Sequence, residues 1–259
     1  MEIPKTRLAA MLDKYIRRVY GPEFHFRSQQ KEVILDIVAA FFDGTCNLYL
    51  LDAPTGTGKS IIAMVVAGFL SEFKMRGYIL ASDLMLQTQY EKDFKKYGLE
   101  WGSVKGVDNY ECVVNHEKFS IGECKLKNTS YEEAETKGCF QDCGYLWNRK
   151  KAIKSPVSLL NYSYWLIQRN YVETKMQDNG KGVPFPKRDF TFCDEAHKVA
   201  DIVQNHFSPR VDDKAVEKLE KIRAILHKHN LGSPKTSQVR LRTVVKGLFR
   251  EEDPGRIYA

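Results

Sequence analysis

Apolar residues along the chain fall into two patterns, helical spacing and short continuous runs. Helical spacing predicts a helix over residues 5–20, which ends near Gly21, and a second helix with its apolar positions between Val33 and Phe41, which ends at Gly44. Continuous runs predict buried strands over residues 48–51, 77–82, 156–162 and 190–193, and helices follow the first two of them. Strands that alternate with helices indicate an α/β fold, in which a parallel sheet carries helices on both faces.

A glycine-rich segment separates the first predicted strand from an apolar helix over residues 61–70. Gly56 and Gly58 carry no Cβ, so backbone N–H groups there can approach phosphate oxygens. The helix N-terminus adds its dipole, Lys59 is expected to reach the β- and γ-phosphates of ATP, and Ser60 to ligate Mg²⁺. Ala53 stands where the general G-x-x-x-x-G-K-[ST] pattern has glycine. The predicted phosphate loop consists of Ala53, Pro54, Thr55, Gly56, Thr57, Gly58, Lys59 and Ser60.

An acidic box, Asp194-Glu195-Ala196-His197, directly follows the last predicted strand. Its carboxylates therefore emerge at the edge where α/β sheets bind ligands. We expect Asp194 to hold Mg²⁺, and Glu195 to orient or deprotonate the attacking water. His197 is a candidate for coupling the nucleotide state to a neighbouring surface.

Two polar residues precede the helix that leads to the phosphate loop. The Gln30 amide can donate to and accept from adenine at the same time, and Arg27 lies three residues before it. Both are candidate base readers; the alternative is that they are ordinary surface residues.

Four of the six cysteines, Cys112, Cys124, Cys139 and Cys143, form a cluster spaced C-x₁₁-C-x₁₄-C-x₃-C. An intracellular chain uses such cysteines for metal or redox chemistry before disulfides. Wide gaps with a single close pair suit a 4Fe–4S cluster. A Zn²⁺ site, with His116 in place of one cysteine, and no metal at all remain alternatives. We expect the other two cysteines, Cys46 and Cys193, to be small buried apolar residues.

Composition narrows the partners and the compartment. The chain is 43% hydrophobic and 28% charged with a net charge of +7, and basic residues exceed acidic ones after His206. This excess suits a polyanion such as nucleic acid, although a solvated helix face would show it equally. The N-terminus has no signal-peptide pattern and the apolar run 61–70 is too short to span a bilayer. We therefore expect a cytoplasmic protein with no membrane partner.

The A-P-T-G-T-G-K-S and D-E-A-H boxes resemble those of superfamily 2 helicases, and most closely the XPD/DinG group of iron–sulfur helicases. Arg27-x-x-Gln30 resembles the R-x-x-Q box of that group, and residues 84–89 resemble its motif Ia. Lys105 to Cys112 resembles the segment that carries the first cluster cysteine, and Asn161-Tyr162 its N-[HY] pair. The resemblance covers about residues 24–200. It implies a RecA-like P-loop NTPase domain with ATP, Mg²⁺ and a 4Fe–4S cluster.

The resemblance also implies a domain order. Residues 1–104 and 151–204 would form the two parts of the RecA-like domain, 105–150 the cluster insert, and 205–259 the basic helical start of an arch-like segment. No Q-x-x-G-R-x-x-R box follows His197, so we expect the second RecA-like domain on another chain or a missing C-terminal half.

The function implied is that of a helicase motor domain, in which ATP hydrolysis drives 5′–3′ translocation on single-stranded DNA. A non-catalytic nucleic-acid-binding or regulatory module that retains a nucleotide pocket is the alternative. A metal-free P-loop ATPase of another kind is a third hypothesis.

Overall fold

Four parallel strands form the sheet of the computed structural model: β1 (Gly77–Ala81), β2 (Gly102–Ser103), β3 (Val157–Asn161) and β4 (Phe190–Cys193). Their order is β2-β3-β1-β4, and Ile79 of β1 lies opposite both Leu159 and Phe192. The predicted α/β class and the strands predicted at 77–82, 156–162 and 190–193 are confirmed. The two-residue strand β2 was not predicted.

Helices connect these strands and precede the first of them. Those predicted over residues 5–20, before Gly44, over residues 61–70 and around residues 84–90 are confirmed, whereas the described helices after residue 120 were not predicted. The helices are α1 (Lys5–Val19), α2 (Gln30–Asp43), α3 (Lys59–Ser71), α4 (Leu84–Lys96), α5 (Glu123–Leu126), α6 (Tyr131–Glu135), α7 (Gly144–Lys154), α8 (Tyr162–Ile167) and α9 (Val199–Phe207), with a π-helical stretch at Gln168–Val172.

Alternate strand residues face two different helical layers, as period-2 strand geometry requires. Ile79 and Leu159 pack with Tyr90 of α4 and with α3 on one side. Leu80 and Leu160 pack on the other side with α7, α8 and the cysteine-containing insert. A further apolar cluster joins α1 and α2 to α3. Because helices cover both faces of the sheet, successive residues of the central strands are all buried, and their sequences are continuous apolar runs.

The prediction of a strand over residues 48–51 is wrong. These residues form no ladder, and Leu48 and Leu50 are 72% and 79% exposed. Within the described part of the chain, β4 pairs with β1 on one side and has no neighbour on the other. An apolar run without a neighbouring strand gains no ladder hydrogen bonds. The burial expected for Cys193 is likewise wrong, because this last residue of the edge strand is exposed.

The structure describes residues 3–44, 47–54, 56–127, 129–172 and 184–207, and those up to His206 belong to one compact unit. Cys46, Thr55 and nearly all of the predicted arch-like segment, residues 208–259, lie outside the described residues. None of the helices in the described ranges is long and apolar enough to cross a bilayer.

Candidate nucleotide and magnesium site

The phosphate loop requires glycine at two positions. Gly56 and Gly58 have φ of 83° and 85°, in the left-handed region that side chains other than glycine rarely adopt. A Cβ on Gly58 would also lie 2.4 Å from Nε2 of Gln30. The Thr57 hydroxyl donates to the Pro54 carbonyl at 2.8 Å and closes the turn. The loop thus leads into the N-terminus of α3, where an anion is favoured.

Arg27, which precedes α2, and Gln30, its first residue, form hydrogen bonds with the backbone of this loop. The buried Gln30 side chain donates through Nε2 to the Thr57 carbonyl at 2.7 Å, and its Oε1 accepts from the Arg27 backbone N–H at 2.8 Å. The Arg27 guanidinium donates to the Gly56 carbonyl. The two predicted base readers therefore lie against the phosphate loop and hold its backbone.

Lys59 is folded over the loop that precedes it. Its ammonium donates to the Ala53 carbonyl at 2.8 Å and so joins the seventh position of the loop to the first. Lys59 is also the first residue of α3, so its charge and the positive end of the helix dipole lie together. This cationic end of the loop suits the phosphates of a nucleotide.

Ser60 and Asp194, 134 residues apart, meet beside this loop. The Ser60 hydroxyl lies 3.5 Å from Oδ2 of Asp194, whose own N–H donates to the Leu80 carbonyl and continues the β1–β4 ladder. Hydroxyl and carboxylate oxygens are ligands that Mg²⁺ prefers. In the described ranges no group of three or more His, Cys, Asp or Glu side chains forms a metal site. A Mg²⁺ site in an ATPase usually takes one or two carboxylates and completes its shell with phosphate and water.

Two tyrosines fix the orientation of Asp194. The hydroxyl of Tyr90, a fully buried residue of α4, donates to Oδ2 at 2.7 Å, and Tyr162 donates to the Asp194 backbone carbonyl at 3.0 Å. Burial, and then the charge of Asp194, raises the pKa of Tyr90 well above its usual value, so the hydroxyl stays a donor. No motif pointed to Tyr90; the available signal was a polar group on the apolar side of a helix.

Glu195 occupies a strained backbone position. Its φ is 53°, and its N–H donates to Oδ1 of Asp194 at 3.0 Å. The His197 ring, which is largely exposed, lies with Nδ1 3.3 Å from Oε2 of Glu195. Residues other than glycine held in the left-handed region concentrate at functional sites. The structure thus brings Asp194, Glu195 and His197 together at the carboxyl edge of β4.

A buried amide joins α4 to the ends of the neighbouring strands. Gln87 is fully buried, and its Nε2 donates to the Val104 carbonyl and to the Ser103 hydroxyl, both at 3.0 Å. Its Oε1 accepts from Asn161 at the end of β3, at 3.3 Å. The helix that carries Tyr90 is therefore held at the carboxyl edge by polar contacts as well as by packing.

The cysteines of the insert differ in their burial and in their surroundings. Cys112 and Cys143 are buried, Cys143 belongs to the apolar cluster that includes Leu80 and Leu160, and Cys124 packs against that cluster. Burial acts to raise the pKa of Cys112, but N–H groups of Asn115, Val114 and Glu123 directed at its sulfur leave that pKa lowered. The four sulfurs do not form a single-ion site among the described residues. His116, the alternative ligand, is exposed and lies 3.3 Å from Glu111.

Comparison with known families gives one match. The model for the type III restriction enzyme, res subunit, matches residues 23–230, which include the phosphate loop and the acidic box. No curated protein matches the chain.

Proposed function

The chain belongs to the family of the type III restriction enzyme res subunit, a helicase-like superfamily 2 domain, and we propose that it hydrolyses Mg·ATP as the motor domain of a DNA helicase. The observation that carries this proposal is the approach of Ser60 to Asp194 beside a glycine loop at a helix N-terminus. A buried tyrosine that holds the carboxylate supports it further.

The residues divide the chemical work as follows. Loop N–H groups and Lys59 bind the β- and γ-phosphates, and Ser60 with Asp194 would hold Mg²⁺, which neutralises charge on the phosphate oxygens. Glu195 orients the attacking water and accepts its proton, and His197 beside it links that carboxylate to the protein surface. Arg27 and Gln30 keep the loop in its binding conformation.

We further propose that the motor follows the XPD/DinG pattern and moves 5′–3′ on single-stranded DNA. The outer side of α4 is polar and basic around Gln89 and Lys92, which suits a phosphate backbone. In the resembling group ATP lies between two RecA-like domains, and the second supplies arginine. Such an arginine is worth about 10³–10⁵ in rate, so we expect slow turnover until a second RecA-like domain is added.

For the insert we propose a 4Fe–4S cluster on Cys112, Cys124, Cys139 and Cys143. The support is the spacing, together with N–H groups directed at the Cys112 sulfur, which is a way in which proteins tune cluster thiolates. Protein purified without oxygen should contain iron and sulfide. Cys143→Ser should lose both, and Cys193→Ser, outside the insert, should keep both. Stoichiometric zinc without iron would decide for the zinc alternative, and the absence of either metal for the metal-free one.

The competing function, a non-catalytic nucleic-acid-binding or regulatory module, retains the nucleotide pocket without turnover. ATP hydrolysis should be measured with single-stranded DNA, with and without the second RecA-like domain of a homologous helicase. The motor proposal expects stimulated turnover in the mixture, and none when this chain carries Glu195→Gln. Equal turnover with Glu195→Gln would contradict it, and nucleotide binding without turnover in either mixture would favour the module.

A further inference from the structure

One side of α7 presents an aromatic ring and a row of cations to solvent. Positions 147, 150, 151 and 154 fall on the same side of a helix, and Trp147 is 46% exposed. On the opposite side Tyr145, Leu146 and Ala152 belong to the apolar cluster, and Arg149 is buried as well. The outward side carries Trp147, Lys150, Lys151 and Lys154.

The rotation of α7 is fixed by close backbone contact with β2. A Cβ on Gly102 would lie 2.3 Å from Cα of Ala152, so only glycine permits this approach. The Gly102 N–H also donates to the Ser155 hydroxyl at 3.0 Å, just after the helix ends. The outward side borders a cavity of about 480 Å³, which Glu100 and Ser155 also line.

The charges in this groove favour an anion. Lys150 lies 3.2 Å from Glu135 and is partly neutralised. Neither Lys151 nor Lys154 forms an ion pair with any residue of the described ranges, and both are exposed. With Glu100 as the acidic lining residue, the groove keeps a net positive charge. An exposed indole beside unpaired ammonium groups is the combination that binds single strands, because the ring stacks on a base while the cations meet phosphates.

The groove lies away from the nucleotide site. Ser155 and Pro156 separate α7 from the start of β3, whereas Asp194 follows the end of β4, and the strands are parallel. A five-residue strand is about 16 Å long, so the Lys154 end of the groove lies at the edge of the sheet opposite to Asp194. We infer that the Trp147 groove is a second binding site for single-stranded nucleic acid, in which a base stacks on Trp147 and phosphates contact Lys151 and Lys154.

This inference rests on the proposed motor function in one respect, that nucleic acid is the partner. The probe is a fluorescent oligothymidylate bound to the full chain, with anisotropy followed across a salt series. Trp147→Ala should weaken binding by about 5- to 150-fold, the range measured for loss of one stacked base, and Trp147→Phe should retain most of it. Lys151→Gln with Lys154→Gln should lower the slope of log affinity against log salt by about 1.4, or 0.7 for each phosphate released.

The matched control is Lys14→Gln with Arg17→Gln, which removes two exposed charges at the same spacing from α1. It should leave the salt slope nearly unchanged. If the two double variants lowered the salt slope equally, the proposal that the groove binds nucleic acid would be wrong, and general charge attraction alone would explain the binding. If a poly-glutamate peptide competed as strongly as unlabelled oligothymidylate, the proposal that nucleic acid is the partner of this groove would be wrong. Wild-type protein that binds no oligothymidylate would refute the nucleic-acid part of the motor proposal as well, whereas binding indifferent to Trp147 refutes the groove alone.

Discussion

The Tyr90 hydroxyl donates at 2.7 Å to Oδ2 of Asp194, the same carboxylate oxygen that Ser60 approaches. Tyr90 belongs to α4, and Asp194 follows β4. The proposed magnesium carboxylate is therefore oriented by the helix whose outer side is the candidate nucleic-acid surface. If binding of single-stranded nucleic acid shifted α4, the Tyr90 hydroxyl would move with it and would change the position of the carboxylate that is proposed to hold Mg²⁺.

Tyr90→Phe should raise the Mg²⁺ concentration needed for nucleotide binding by about 10- to 100-fold, the usual cost of losing a hydrogen bond that orients a metal ligand. The measurement is a Mg²⁺ titration at fixed ATP analogue. Tyr78→Phe is the matched control, since it removes another buried hydroxyl, one that donates to Pro186 instead. Equal Mg²⁺ requirements in the two variants would show that Tyr90 does not orient Asp194 for the metal.

Substitution of Gln30 separates two roles for its amide. Because Nε2 of this amide donates to the Thr57 carbonyl of the phosphate loop, Gln30→Ala should weaken the binding of ATP, GTP and inorganic tripolyphosphate to a similar extent. A base reader would instead lose affinity for ATP and leave tripolyphosphate unchanged. Competition against a fluorescent ATP analogue gives all three affinities, and selective loss of ATP would restore the adenine-reading role.

Asp83 caps α4 and ties its stability to pH. Its carboxylate accepts from the Leu86 N–H at 2.9 Å, and this bond, more than any other contact, lowers the pKa of Asp83 below 3.8. A carboxyl group whose pKa is lowered on folding stabilises the fold above its unfolded pKa and loses that contribution as the pH falls through its folded pKa. Asp83→Ala should therefore lower the free energy of unfolding by about 1 kcal/mol at pH 7.

Urea unfolding at pH 7 and at pH 3 checks this prediction. Asp83→Asn is the control, because the asparagine oxygen keeps the cap without the charge. It should remain near the wild type at pH 7 and lose less stability on acidification. Equal destabilisation by Asn and Ala at pH 7 would mean that the charge near Lys198, and not the cap, is what matters.

Much of the site was predictable because its residues follow short apolar strands or a glycine turn. Asp194 comes directly after β4 and so lies at the carboxyl edge of the sheet, and Lys59 comes directly after Gly58 at the start of α3. The insert was recognisable from cysteine spacing, but whether the sulfurs converge depends on tertiary packing that spacing does not contain. Its metal therefore stays a prediction.

The features that the sequence did not predict correctly have specific physical causes. Residues 48–51 have the apolar content of a strand, yet a strand exists only where a neighbour supplies ladder bonds, and a single sequence does not show the neighbour. The strand β2 has two residues, too few for a periodic signal. Tyr90 was missed, and Gln87 was predicted only as part of motif Ia with no role of its own. A buried polar tip on an apolar helix face becomes informative only when its partner across the sheet is known.

The central claim is that the loop around Lys59 and the Ser60–Asp194 pair form one Mg·ATP site, and titration with a fluorescent ATP analogue tests it most directly. Lys59→Ala should weaken Mg²⁺-dependent binding by about 10- to 150-fold, since a hydrogen bond to a charged group is worth about 1.5–3 kcal/mol. Asp194→Asn should remove most of the Mg²⁺ dependence, and Lys14→Ala on α1 should change neither. Unchanged affinity in Lys59→Ala, with Mg²⁺ dependence intact in Asp194→Asn, would contradict the account.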